Sequence, residues 1–115
     1  MRATLPKAER VCGKAAVEAL MGRGRGGSEG CLRYRCLKGN GLEVSRILVS
    51  VPKRHFKRAV KRNLLKRRIR EAYRHQKELL GPGADILLVY QVREVLPYAD
   101  IYADMTRVLT AASKM

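Results

Sequence analysis

The chain has 115 residues, 46% of them hydrophobic, which is the size of one domain with a small core and too rich in Leu, Ile and Val for a disordered basic tail. Lysine and arginine number 25 against 10 acidic residues, a net charge of +15 that points to a polyanionic partner, nucleic acid before a membrane surface or an acidic protein. No apolar run approaches a membrane span or a signal peptide, and Cys12, Cys31 and Cys36 make no zinc pattern with His55 or His75, so a soluble cytoplasmic protein with reduced thiols and no bound metal is expected.

Residues 1–13 read as an extended lead-in that stops at Gly13, a helix N-cap. A short helix over 14–21 sets Val17, Leu20 and Met21 on one face. The segment Gly22-Arg23-Gly24-Arg25-Gly26-Gly27-Ser28 then reads as a flexible loop in preference to an RGG-like RNA contact. From Cys31 to Lys38, alternation predicts a half-exposed strand with Leu32, Tyr34 and Cys36 inward and Arg33 and Arg35 outward. Gly39-Asn40-Gly41 reads as a hairpin turn into a second strand over 43–51, which Pro52 ends. After Gly81-Pro82-Gly83, residues 84–90 are apolar on both faces and predict a strand buried on both. Pro97 suits the first turn of a last helix, where Ile101, Met105, Val108, Leu109 and Ala112 form one stripe. The order helix, strands, basic helix, strand, helix predicts a single α+β domain, with helices packed on a small mixed sheet.

The most informative segment is 53–80. Between Lys53 and Arg74 stand eleven Lys or Arg residues and one acid, Glu71. Wound at 100° per residue, Leu65, Ile69, Ala72, Tyr73, Gln76 and Leu80 share one sector, the buried face. Asn63, Lys66, Arg67, Arg70 and Arg74 gather opposite, in a stripe about three turns or some 16 Å long. Guanidinium forks grip phosphates in bidentate fashion, and Asn63 adds a neutral group able to read a base edge or a ribose hydroxyl. A merely solvated helix face mixes both signs of charge, and this one does not.

Residues Ala59-Val60-Lys61-Arg62-Asn63-Leu64-Leu65-Lys66-Arg67-Arg68-Ile69-Arg70-Glu71-Ala72-Tyr73-Arg74 resemble the signature helix of the bacterial ribonuclease P protein family, whose pattern is A-V-x-R-N-R-x-K-R-x-x-R-E. The match falls on Ala59, Val60, Arg62, Asn63, Lys66, Arg67, Arg70 and Glu71. The opening Leu5-Pro6-Lys7-Ala8-Glu9-Arg10, the strand end Val49-Ser50-Val51-Pro52-Lys53-Arg54 and the stretch 79–86 are similar to the family as well, so nearly the whole chain is covered.

The resemblance implies an αβββαβα sandwich of the ribosomal protein S5 domain 2-like type with a left-handed crossover. The fourth strand it requires would be short and near Arg25–Glu29. It implies two partners, the ribonuclease P RNA and the 5′ leader of precursor tRNA, with hydrolysis performed by the RNA and its Mg²⁺. The signature motif assigns RNA contact to Arg62, Asn63, Lys66, Arg67 and Arg70. Lys53 and Arg54 after the strand, and Arg58, Arg68 and Arg74 on or beside the helix, complete the candidate surface. Leu64 stands where the family carries a second Arg, and neighbouring Arg68 is the expected replacement. The stretch from Lys53 to Ala59 is one residue longer than in common members. Leader contact is assigned to Val17 and Met21, which replace two family aromatics, with Tyr34 as the stacking group on the neighbouring strand.

Nothing in the chain itself reads as a catalyst or a metal site. Its acids are scattered, Asp100 and Asp104 read as surface acids one helical turn apart, and neither His55 nor His75 has an evident carboxylate to orient it as a base. A structural RNA-binding protein of ribosomal type shares the charge and size, and only the motif separates the two readings. A DNA-binding regulator lacks its helix-turn-helix and dimerisation element.

Overall fold

A computed structural model describes residues 9–11 and 13–115. Most of the expected lead-in, and Cys12 with it, lies outside the described residues. The elements run α1 (Lys14–Arg23), β1 (Arg25–Glu29), β2 (Leu32–Lys38), β3 (Arg46–Ser50), α2 (Ala59–Arg74), a 3₁₀ turn (Lys77–Leu79), β4 (Ala84–Tyr90) and α3 (Tyr98–Ser113). The strands form one mixed sheet in the order β1-β2-β4-β3, with β3 parallel to β4 and the other pairs antiparallel. The parallel pair is joined through α2, as a parallel connection requires.

The amphipathic helices follow their sequence periods. Leu65, Ile69, Ala72 and Tyr73 of α2 and the Ile101, Met105, Val108, Leu109 and Ala112 stripe of α3 are all buried. They close over Ile86, Leu88 and Tyr90 of β4 and Leu32 and Cys36 of β2 to make the core. Each Leu, Ile, Val or Met among them contributes roughly 1.5–3 kcal/mol by its removal from water. Gly13 caps α1 at a positive φ of 89°, and Pro97 stands one place ahead of α3.

Two expectations for the N-terminal half are overturned. The glycine-rich stretch read as a loop contains β1, in register with β2 from Arg25↔Cys36 to Glu29↔Leu32. Glycine is needed there for space: a Cβ on Gly27 would stand 2.6 Å from the phenol oxygen of Tyr34, whose ring lies over the strand. The fourth strand implied by the family resemblance is therefore present. Gly39-Asn40-Gly41, in turn, is no hairpin, because β4 occupies the place beside β2 and β3 lies beyond it. The chain leaves the sheet at Gly39. Asn40 fastens this detour, its amide donating to the Val44 carbonyl and to Asp85, and Arg46 grips the same carboxylate through Nε (2.8 Å) and Nη2 (2.6 Å).

The true hairpin joins β1 to β2 through Gly30 and Cys31. Asp104 of α3 secures it, accepting the Cys31 N–H at 2.9 Å and pairing with Arg107. Asp104 is thus a buried structural acid and not a surface one. Burial opposes its charge, but the Cys31 amide, the Cys31 thiol and Arg107 hold its carboxyl below the ordinary value. Burial first, then this carboxylate, pushes the Cys31 thiol up to about 12, leaving it un-ionised at neutral pH.

Candidate nucleic-acid interface

The outer side of α2 carries the charge. Lys53 and Arg54 stand exposed in the turn after β3, and Arg58 immediately precedes the helix. Along the helix Asn63, Arg67 and Arg70 are exposed and Lys66 is half-buried. None of these seven side chains makes a hydrogen bond or ion pair among the described residues. Burial, and then the neighbouring charge of Arg10, holds the Arg70 guanidinium below its ordinary pKa. Crowded cations of this kind are relieved by an incoming anion.

The other three candidates on this helix are engaged within the protein. Arg62 donates Nη1 to the carbonyls of Phe56 (2.6 Å) and Lys57 (2.9 Å), tying down the longer loop ahead of α2. Arg68 donates Nη1 to the Leu96 carbonyl at 2.5 Å and so braces the start of α3. Arg74 is paired with Glu71 at 2.5 Å, and the same carboxylate oxygen meets His75 Nε2 at 2.7 Å. His75 thus has a carboxylate partner that its sequence context did not suggest, although that partner is shared with an arginine. Contacts from Arg74 and then His75 hold the Glu71 carboxyl below the ordinary range.

The opposite face of the sheet is open in part. There α1 buries Leu20, while Met21 borders a groove of ≈ 640 Å³. Arg33 and Arg35 of β2, with Leu87 and Val89 of β4, line it, since the register sets Arg33 beside Val89 and Arg35 beside Leu87. Val17 is half-buried one helical turn before Met21. Tyr34 is among the residues that line this groove, but its side chain is only 6% exposed and packs with the core. The β4 strand is accordingly covered fully on one face only. Arg33 and Arg35 had been visible as a basic strand edge, and what the alternation lacked was the partner strand that sets them beside an apolar floor.

The described acids do not gather into a metal-binding cluster. Asp85 is committed to Arg46, Asp104 to Arg107, Glu9 to Lys77 and Glu71 to Arg74. Among the described residues no helix is long and apolar enough to cross a membrane.

Fold and surface define a small basic α+β protein that presents a cation-covered helix on one side and an open groove across its sheet on the other. Residues 5–113 match the family model described as Ribonuclease P, and the chain belongs to that family of ribonuclease P protein components. It is 35% identical over 112 residues to a protein from Porphyromonas gingivalis strain W83 named as a ribonuclease P protein component, covering 96% of this chain and 82% of the relative. A protein of the same name from Nitrosococcus oceani is 42% identical over 50 residues. Solved RNase P proteins share the fold: one from Staphylococcus aureus superposes with a TM-score of 0.80 at 23% identity, covering 92% of this chain and 96% of that one. One from Thermotoga maritima gives 0.74 at 20% identity, covering 96% and 97%.

Proposed function

We propose that this chain is the protein subunit of a ribonuclease P ribonucleoprotein, binding the catalytic RNA along α2 and the 5′ leader of precursor tRNA in the groove beside α1. The observation that carries the reading is the row of Arg58, Lys66, Arg67 and Arg70, with Asn63 among them, unpaired within the described protein in a chain of this family. Fixed cations with no internal partner are the donors that a phosphate backbone takes up. Engagement of six or so phosphates would make affinity fall by roughly three decades between 50 and 200 mM salt.

In the groove, Arg33 and Arg35 would take leader phosphates while Met21, Leu87 and Val89 receive base faces. The floor is aliphatic, so base contacts there are dispersive and tolerant of sequence. The fold type that accompanies this reading is ribosomal protein S5 domain 2-like, with a left-handed crossover through α2.

The chain's role in cleavage is electrostatic. Docking the leader and tRNA against the catalytic RNA crowds phosphates together, and a +15 protein screens them with cations that do not dissociate singly. Mg²⁺ held by the RNA supplies the hydrolytic chemistry, and the protein lowers the Mg²⁺ concentration at which that RNA works. The test is cleavage of precursor tRNA by the cognate ribonuclease P RNA at a few millimolar Mg²⁺, with and without this chain. Cleavage that requires both supports the reading. No effect of the protein would favour a structural RNA-binding role of ribosomal type, and cleavage by the protein alone would overturn the assignment of catalysis to RNA.

A further inference from the structure

The chain has five tyrosines, one phenylalanine and no tryptophan. Tyr34, Phe56, Tyr73 and Tyr90 are spent in the core. The remaining two, Tyr98 and Tyr102, lie one turn apart on the first half of α3, where Tyr98 is half-buried against the edge of the core and Tyr102 is exposed. Tyr102 is 37% exposed, and the two rings meet edge to face with centroids 5.9 Å apart. Tyr98 has a place at the edge of the core, whereas the exposed Tyr102 ring resting on it has none.

Three features fix the pair beside the basic helix. The Gln76 side chain, just past α2, donates to the Tyr102 carbonyl at 3.1 Å and also bonds Thr106, so this turn of α3 is fastened to the end of α2. Tyr98 lies within electrostatic reach of Glu71 and Arg74, and its hydroxyl is enclosed without a hydrogen-bond partner among the described residues. Glu71, the one acid between the rings and the arginine stripe, is covered by Arg74 and His75. The result is a braced aromatic pair beside Arg74, at the C-terminal end of the arginine stripe, with the intervening Glu71 compensated.

A ligand suited to both parts carries a planar π-face and a phosphate within a few ångströms of each other, which is a nucleotide with its base unpaired. Bases stack on tyrosine irrespective of their identity. We infer that Tyr98 and Tyr102 form a stacking platform for an unpaired base of the RNA that runs along α2, with Tyr102 the exposed ring and Tyr98 its support. This inference rests on the RNA-binding reading of α2 and adds to it a second, uncharged mode of contact.

Stacking and phosphate contact differ in their response to salt, because only phosphate contact releases counterions. The experiment measures the affinity of the full chain for its cognate ribonuclease P RNA from 50 to 400 mM monovalent salt, for wild type, Tyr102→Ala, Tyr102→Phe and the double variant Arg67→Ala with Arg70→Ala. Thermal melts of each variant establish that the fold is retained. Tyr102→Ala is expected to weaken binding roughly five- to a hundred-fold at every salt concentration with the slope unchanged, and Tyr102→Phe to restore it. The double arginine variant is expected to reduce the slope by about two. Wild-type affinity for Tyr102→Ala beside weakened binding by the arginine variant would overturn the platform and leave the α2 interface standing. Loss in Tyr102→Phe equal to that in Tyr102→Ala would overturn stacking in favour of a hydroxyl contact. Wild-type behaviour of the arginine variant would remove the α2 reading itself, and the platform with it.

Discussion

On β4, Ile86, Leu88 and Tyr90 are fully buried beneath α2 and α3, whereas Leu87 and Val89 of the same strand are only partly covered on the side of α1. Both sets are apolar, and neighbouring residues differ only in which way the pleat turns them. The closed face needs its hydrophobicity to fold. The open face has hydrophobicity left over, lying between Arg33 and Arg35 and the exposed Met21. Apolar side chains that a protein does not cover itself are available to something else.

The comparison breaks most sharply at Leu88 and Leu87. Leu88→Ala is expected to cost about 2–5 kcal/mol in denaturant unfolding, by lost burial and a residual cavity. Leu87→Ala should cost less than half as much and show its main effect in leader-RNA affinity; equal losses of stability would mean that the second face is also core. A smaller contrast holds between two glycines. Gly27→Ala forces a methyl group into the Tyr34 ring and should destabilise by about 1–3 kcal/mol, whereas Gly22→Ala, in α1 with open space around it, should stabilise by up to about 1 kcal/mol in the same assay.

The arginines of α2 can be sorted in the same way. Arg62→Ala removes donors from two carbonyls and should lower stability by about 1 kcal/mol, while Arg67→Ala should leave the melting temperature nearly unchanged and act on RNA affinity alone. The smallest effect concerns pH. Asp104 has a depressed folded-state pKa, so its contribution is present above the unfolded pKa and is lost as pH falls through the folded one. Stability measured from about pH 5 downward should therefore fall less steeply in Asp104→Asn than in the wild type.

Periodicity made the helices legible. The buried sectors of α2 and α3 were readable residue by residue because a 3.6-residue repeat over sixteen positions leaves little freedom. The exposed side of α2 was legible for the same reason, since the cations of the signature motif repeat along it. Strand pairing was less legible. Gly26 and Gly27 carry the composition of a loop, and only the Tyr34 ring above them explains a strand. Gly39-Asn40-Gly41 has the composition of a hairpin turn, and nothing local announces that β4, almost fifty residues later, takes the place beside β2. Asp104 was misjudged, and the Glu71 partner of His75 overlooked, for a related reason. Whether a carboxylate is solvated or committed depends on the backbone amide or side chain that the fold brings to it, and Cys31 is 73 positions from Asp104.

The strand order also bears on how the chain comes into being. β4 lies between β2 and β3 in the sheet, yet it is the last strand to leave the ribosome. Until residues 84–90 emerge, the β1–β2 hairpin has no neighbour, β3 has no partner strand, and the apolar side of α2 has little of its core to rest on. The arginine-rich segment is therefore synthesised well before the domain that will hold it rigid. Only when β4 and then α3 have emerged can the core close and hold the cationic helix rigid.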